Sequence, residues 1–348
     1  MSRRVYFIRH ARPDIPFGER WCVGSRTDFP LGAYGRIQAS LLPYVPELQN
    51  VSTVFCSWLS RAKDTALAIS HAPVIAEGLE EQDMGAWDGL SFTQIKEGWP
   101  ELYAARELDP YLLPDGAETY THMADRFGNA VKNCIAKTSG DIAIVAHKSS
   151  ISTVTGSREM LGWTSISTAE FDGEDFKITE IGRLPHPTLT DEVCLKMMLA
   201  AGADADLRMH CKAVPETACM LCDSLGKNEL HFDRELIRSA SLLHDIARSQ
   251  KKHAAAGATW LKELGYPEIS DIIRQHHDPD GTELNEAAVV FIADKAVKGC
   301  QRVDIEERFA ASLAKCKTPE AIDAHGKRLE AARKIKKDIN NLCGAVIL

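Results

Sequence analysis

Two folded units in one chain, an α/β three-layer domain on a parallel sheet and then an all-α domain, are what this sequence predicts. Three observations carry the prediction. The first half alternates short β-rich runs with helical stretches, the second half keeps helical periodicity almost unbroken, and Leu184-Pro-His-Pro-Thr188 between them is rigid and non-helical. In chain order, Val5 to Ile8, Val51 to Phe55 and Ile142 to Ala146 read as strands, and Ser60 to Ser70 and Tyr120 to Lys137 as helices. Alternation from Glu170 to Arg183 reads as a last strand. The domains are thus expected over residues 1–185 and 190–348, the second with a C-terminal helical extension. Its turns fall at Gly202, Gly226, Gly265-Tyr-Pro267 and Pro279-Asp-Gly281.

Composition narrows the function classes. A hydrophobic fraction of 45% and a charged fraction of 26% are those of a folded protein, and 348 residues suit two cores. The formal charge of -8 disfavours nucleic acid and anionic membranes as partners, so an anionic substrate must meet local positive charge. The opening apolar run Val5 to Ile8 is too short for a signal peptide, and no stretch reaches the roughly 18 apolar residues of a spanning helix. A cytoplasmic protein is expected. Ten cysteines, single apart from Cys219 and Cys222, make no disulfide framework; that pair sits one helical turn apart, as core residues do. The basic run Arg333 to Lys337 reads as the solvated face of a terminal helix.

Arg9 and His10 follow the first strand directly, His147 follows the strand ending at Ala146, and Ser57 to Arg61 follow the strand ending at Phe55. Strand exits are where open α/β folds place ligands, and cations gathered there suggest an anion site. The ordered series Arg9-His10-Ala11, Ser57-Trp-Leu-Ser-Arg61-Ala-Lys-Asp-Thr65-Ala, Leu79-Glu-Glu81, Gly85-Ala-Trp-Asp-Gly89 and Val145-Ala-His147 resembles the histidine phosphatase (phosphoglycerate mutase-like) superfamily over about residues 1 to 185. The resemblance implies that His10 attacks phosphorus to give a phosphohistidine, while Arg9, Arg61 and His147 surround the phosphoryl oxygens. It also implies Glu81 as the acid that protonates the leaving oxygen, and no metal. Ser57 has two readings, a phosphate contact or a helix cap near Leu59, and so has Arg12, a phosphate contact or a solvated charge. The chain departs from the family at Ala11 and Lys148, each in place of glycine, and lacks an asparagine within Arg12-Pro-Asp-Ile-Pro16. The short segment between Glu81 and Pro114 resembles phosphatases, α-ribazole phosphatase-like enzymes among them, more than mutases. Pocket-lining loops are expected at Pro13 to Phe29 and Gly98 to Thr119.

In the second half, His210, His244-Asp245, His253, His276 and Asp294 supply the imidazole and carboxylate ligands of divalent ions such as Mn or Fe. The stretches Met209-His-Cys-Lys-Ala-Val214, Ser241-Leu-Leu-His-Asp-Ile-Ala247, His253-Ala-Ala-Ala-Gly-Ala258, Ile273-Arg-Gln-His276 and Phe291-Ile-Ala-Asp294 resemble the HD phosphohydrolase superfamily. The additional His253 and His276 look like its two-metal branch, similar to the diadenosine-tetraphosphate hydrolases. The resemblance implies one metal on His210, His244, Asp245 and Asp294, with Asp245 bridging to a second on His253 and His276. His277 reads as an outer or surface residue; Lys295 and Arg248 read as phosphate contacts or solvated charges. Pro215 is expected to kink the helix that carries His210.

Together these readings make the chain a bifunctional hydrolase. One unit would be a phosphomonoesterase and the other a metal-dependent phosphohydrolase, acting on small phosphorylated metabolites, nucleotides among them. The competing readings are a phosphatase regulated by a sensing HD domain and a scaffold with decayed sites.

Overall fold

The computed structural model describes residues 3–157 and 161–346. It divides into two compact units, Met1–Pro187 and Thr188–Leu348.

The first unit is built on strands β1 (Arg3–Arg9), β2 (Thr53–Cys56), β3 (Val74–Ile75), β4 (Ile142–Ala146), β5 (Ile166–Phe171) and β6 (Phe176–Arg183). Their order is β3-β2-β4-β1-β5-β6. The first four are mutually parallel, whereas β5 runs antiparallel to β1 and β6 to β5. The sheet is therefore mixed rather than purely parallel. The single strand expected over Glu170 to Arg183 is instead the end of a hairpin. Asp172 accepts the N–H groups of Glu174 and Asp175 through one carboxylate oxygen, and Gly173 takes a φ of 120°, so the chain reverses inside the alternating run.

Helices α1 (Ala33–Ser40), α2 (Ser60–Ile69), α3 (Phe92–Gly98), α4 (Pro100–Leu108), α5 (Tyr120–Ala136) and α6 (Lys148–Thr155) complete this unit. Val5, Phe7, Ile142 and Ile144 bury against Phe127, Val131 and Ile151 of α5 and α6. Tyr6, Ile8, Ala143 and Val145 bury on the other face with Ala62 and Ala66 of α2. Successive residues of β1 and β4 thus point to opposite cores, as period-2 geometry requires, and three layers result. The segment Gly98 to Thr119 is not a loop throughout, because Pro100 starts α4 at a position where its missing N–H costs nothing.

The second unit comprises α7 (Asp191–Ala200), α8 (Ala205–Gly226), α9 (Arg234–Leu243), α10 (His253–Glu263), α11 (Pro267–Arg274), α12 (Glu286–Lys295), α13 (Ile305–Leu313) and α14 (Pro319–Cys343). It is helical except for a minimal hairpin, β7 (Val297–Lys298) and β8 (Gln301–Arg302), turned at Gly299 with φ 61°. Its centre is α12, where every residue from Ala287 to Lys295 is buried. The helix that carries His210, α8, runs over 22 residues with Pro215 buried inside it. Packing of Cys211, Val214, Ala218, Leu221 and Leu225 outweighs one missing backbone bond. Among the described residues, no helix is long and apolar enough to cross a membrane.

Candidate active sites

The connections after β1 and β4 leave toward opposite faces, one to α1 and the other to α6, which opens a crevice at the strand ends. His10 continues the ladder, its N–H donating to Ala146 O at 2.9 Å, and its ring centre lies 4.9 Å from that of His147. His10 Nδ1 sits 2.7 Å from Ala11 O. A carbonyl only accepts, so Nδ1 carries the proton and Nε2 keeps its lone pair. Burial, reinforced by Arg61 and Arg9, holds the His10 imidazole well below its ordinary range. It is a neutral base.

Around it, Arg61 is wholly buried and donates to Thr27 O at 2.8 Å and Gly24 O at 2.9 Å. Arg9 donates to Leu161 O and stacks 3.4 Å from the centre of the Trp163 ring. Burial lowers Arg9 to about 9, so it remains cationic at neutral pH. Among the described residues, Arg9 Nε, Arg61 Nε and both ring nitrogens of His147 are buried without a hydrogen-bond partner. Several donors converging and unsatisfied in one crevice mark a ligand site, since such groups are otherwise costly. Glu81 is held by the Gln82 N–H at 2.9 Å and, at the start of α6, by the Ser149 N–H at 3.3 Å.

Ser57 is buried, and its oxygen accepts the Leu59 N–H at 3.3 Å, but it does not cap α2. Asp28 does that work by accepting both the N–H and the hydroxyl of Ser60 at 2.7 Å. Arg12 turns to the Pro16 carbonyl and the Phe17 ring on its own loop. Two neighbours escaped sequence reasoning. Trp163 lies 5.1 Å from His10, ring centre to ring centre, and Thr65 accepts the Ala11 N–H while donating to Arg61 O.

These histidines bear on stability. Burial first, then Arg61, also holds His147 well below its ordinary range. A histidine neutral in the fold but free to protonate when unfolded costs stability as pH drops below about 6.5. The Tm of phosphate-free protein is expected to fall between about pH 7.5 and about pH 5.5, and to fall less in His10→Gln. Identical falls in the two proteins count against a neutral buried His10.

In the second unit, α9 delivers His244 and Asp245, α8 His210, α10 its first residue His253, the end of α11 His276 and His277, and α12 Asp294. Two groups form, Asp245 with His253, His276 and His277, and His210 with His244 and Asp294. Asp245 Oδ1 lies 3.1 Å from His253 Nε2 and 3.5 Å from His276 Nε2, while its Oδ2 lies 3.7 Å from His244 Nε2. Asp294 Oδ1 lies 3.1 Å from His210 Nε2 and 3.8 Å from His244 Nε2. Ligands at ~2.1 Å from one ion stand roughly 3 Å or more apart, so these spacings fit coordination. Among the described residues, His244 Nε2, His276 Nε2 and Asp245 Oδ1 are buried and make no hydrogen bond, as expected of atoms aimed at a cation.

Protonation agrees. Burial lowers His244 to about 4, leaving the neutral imidazole that a metal requires. For Asp245, burial opposes ionisation, but the neighbouring His244, His253 and His276 outweigh it, and the carboxylate is held well below its usual range. His277, expected outside the site, lies 2.8 Å from His253, Nε2 to Nε2, and burial with Lys295 lowers it to about 2. Lys295 is not a solvated charge: its ammonium donates to Asp294 Oδ2 at 2.6 Å. Arg248 donates to His253 Nε2 at 3.2 Å. A cavity of about 620 Å³ opens over His210, Asp245 and Asp294, with Lys298, Arg308 and Lys315 in its wall.

Known proteins provide an independent comparison. The sequence model of the histidine phosphatase superfamily (branch 1) matches residues 5–183, and that of the HD domain matches residues 208–297. An uncharacterised protein of Methanocaldococcus jannaschii is 32% identical over 129 residues, 30% of this chain and 76% of that one. A glucosyl-3-phosphoglycerate phosphatase of Mycolicibacterium vanbaalenii is 30% identical over 128 residues, 36% of this chain and 56% of its own length. Three further mycobacterial relatives match over 41% of their length, so the chain spans less than half of those proteins. Among solved structures, a mycobacterial glucosyl-3-phosphoglycerate phosphatase overlaps 52% of this chain and 99% of its own, with 23% identity and a TM-score of 0.47.

Proposed function

Because this chain belongs to the histidine phosphatase superfamily and carries an HD domain in the same polypeptide, we propose that it is a bifunctional hydrolase. In this reading the first unit hydrolyses phosphomonoesters through a phosphohistidine, and the second is a metal-dependent phosphohydrolase for a nucleotide-like phosphate ester or anhydride. The observation that carries the first half is the neutral His10, with Nδ1 tied to Ala11 O and Nε2 left for attack beside unsatisfied donors of Arg9, Arg61 and His147. Nε2 forms a bond to phosphorus as the ester oxygen leaves, and the Glu81 carboxyl gives that oxygen its proton. Water then attacks phosphorus and gives a proton to the Glu81 carboxylate, the N–P bond breaks, and inorganic phosphate and His10 Nε2 are released. Arg9, Arg61 and His147 stabilise the equatorial oxygens throughout.

Glu81→Gln keeps the shape but cannot give a proton. Alkyl phosphate turnover is expected to fall on the order of 10²-fold or more, and p-nitrophenyl phosphate turnover much less, because its leaving group needs no proton. Equal losses on both substrates, measured by phosphate release, count against an acid role.

In the second unit, His210, His244 and Asp294 would hold one divalent ion and Asp245, His253, His276 and His277 a second. Bound there, the ions supply charge neutralisation and an acidified water. The protein's own residues keep the His244 and His277 imidazoles neutral, anchor Asp294 through Lys295 and Arg308, and leave room in the cavity for a group larger than one phosphate.

Purified protein assayed on phosphomonoesters and dinucleoside polyphosphates, with chelator or with added Mn or Fe, tests both halves. Chelator-resistant monoesterase and metal-dependent cleavage of the second class are the expected pair. Absence of metal-dependent cleavage, together with a nucleotide effect on monoesterase kinetics, transfers the HD unit to the sensing role.

A further inference from the structure

One cation in the phosphatase unit is left over by the chemistry of phosphoryl transfer. Lys148 directly follows His147 and opens α6, at a position where the family pattern has glycine. It is half-buried, and among the described residues its ammonium forms neither an ion pair nor a hydrogen bond. The charges it feels are Arg9 and Arg20, which repel it, and Glu81, which attracts it. Glu81 is already engaged by the N–H groups of Gln82 and Ser149.

The other cations have fixed partners. Arg61 is tied to Gly24 and Thr27, and Arg9 to Leu161 and the Trp163 ring. Those ties aim two guanidinium groups at one phosphoryl group, which His147 completes. A phosphate dianion so surrounded has no need of a further ammonium. Burial, then Arg9, lowers the Lys148 ammonium from its ordinary range, and a neighbouring anion would offset that cost.

The geometry points to Lys148 as a specificity-determining residue that binds a second anionic group, a carboxylate or another phosphate, carried on the leaving-group side of the phosphomonoester. That side is assigned by Glu81, whose carboxyl is held by Ser149, the residue after Lys148. The exposed Arg20 adds positive potential there. The inference rests on the phosphatase reading of the same crevice.

Its test uses two inert probes that differ by one carboxylate, methylphosphonate and phosphonoacetate. Each is titrated calorimetrically into the full chain with chelator present, and each is measured as a competitive inhibitor of p-nitrophenyl phosphate hydrolysis. The wild type is expected to favour phosphonoacetate by about tenfold or more, the size of one charge-assisted contact. The preference is expected to collapse in Lys148→Met and Lys148→Gly and to survive in Lys148→Arg. A preference unchanged in Lys148→Met and Lys148→Gly, or none in the wild type, overturns the inference. Hydrolysis that persists in His10→Ala overturns the phosphatase reading instead, and the calorimetric ratio still judges Lys148 as a binding residue.

Discussion

His10→Ala is expected to abolish chelator-resistant phosphomonoesterase activity, with a fall on the order of 10⁴ or more, because it removes the proposed phosphoryl acceptor. The loss should leave metal-dependent cleavage intact, since the residues of that site lie in the other unit. Rapid quenching of wild-type enzyme with a ³²P-labelled monoester should trap an acid-labile, base-stable phosphoprotein that His10→Ala lacks. An active alanine variant, or label retained by it, removes His10 from the reaction. Melting curves guard against the trivial explanation, and the variant should lose less stability in acid than the wild type.

Asp245→Ala is the second large effect. Asp245 is the one carboxylate reached by His253, His276 and His244 together, so its loss dismantles one proposed group and detaches it from the other. Changes merely to the partners of metal ligands cost about 10–100-fold in affinity, and loss of a ligand itself should exceed that. Metal content by mass spectrometry is expected to drop below half of the wild-type value, with metal-dependent activity at background. Full metal occupancy in Asp245→Ala excludes it as a ligand. Chelator-resistant monoesterase should be untouched.

Much of the architecture was legible because it is written locally. A β-rich run such as Val5 to Ile8 or Ile142 to Ala146 announces a strand, and whatever follows it lands at the sheet edge. That brings Arg9, His10 and His147 together without any knowledge of contacts. The hairpin at Asp172-Gly173 was missed because the alternation of β5 and β6 continues across it, and a period-2 pattern does not record direction. His276 and His277 are adjacent on non-helical backbone, where no periodicity tells which ring turns inward. Trp163 joins its site from outside the motif stretches, and Lys298 and Arg308 lie beyond the stretch that matches the HD sequence model.

The bond from His10 Nδ1 to Ala11 O has a genetic consequence. In many enzymes the tautomer of an active-site histidine depends on a carboxylate side chain, which a single codon change can erase. Here the acceptor is a peptide carbonyl, which every amino acid possesses. Drift at position 11 therefore leaves the lone pair on Nε2, provided the backbone keeps its course and the new side chain fits the buried niche beside Leu31 and Ala39. Alanine in place of the family's glycine is a change of that kind. Its tolerance is limited by volume rather than by chemistry, so deep mutational scanning should find position 11 intolerant of large residues yet indifferent to whether a small one can form hydrogen bonds.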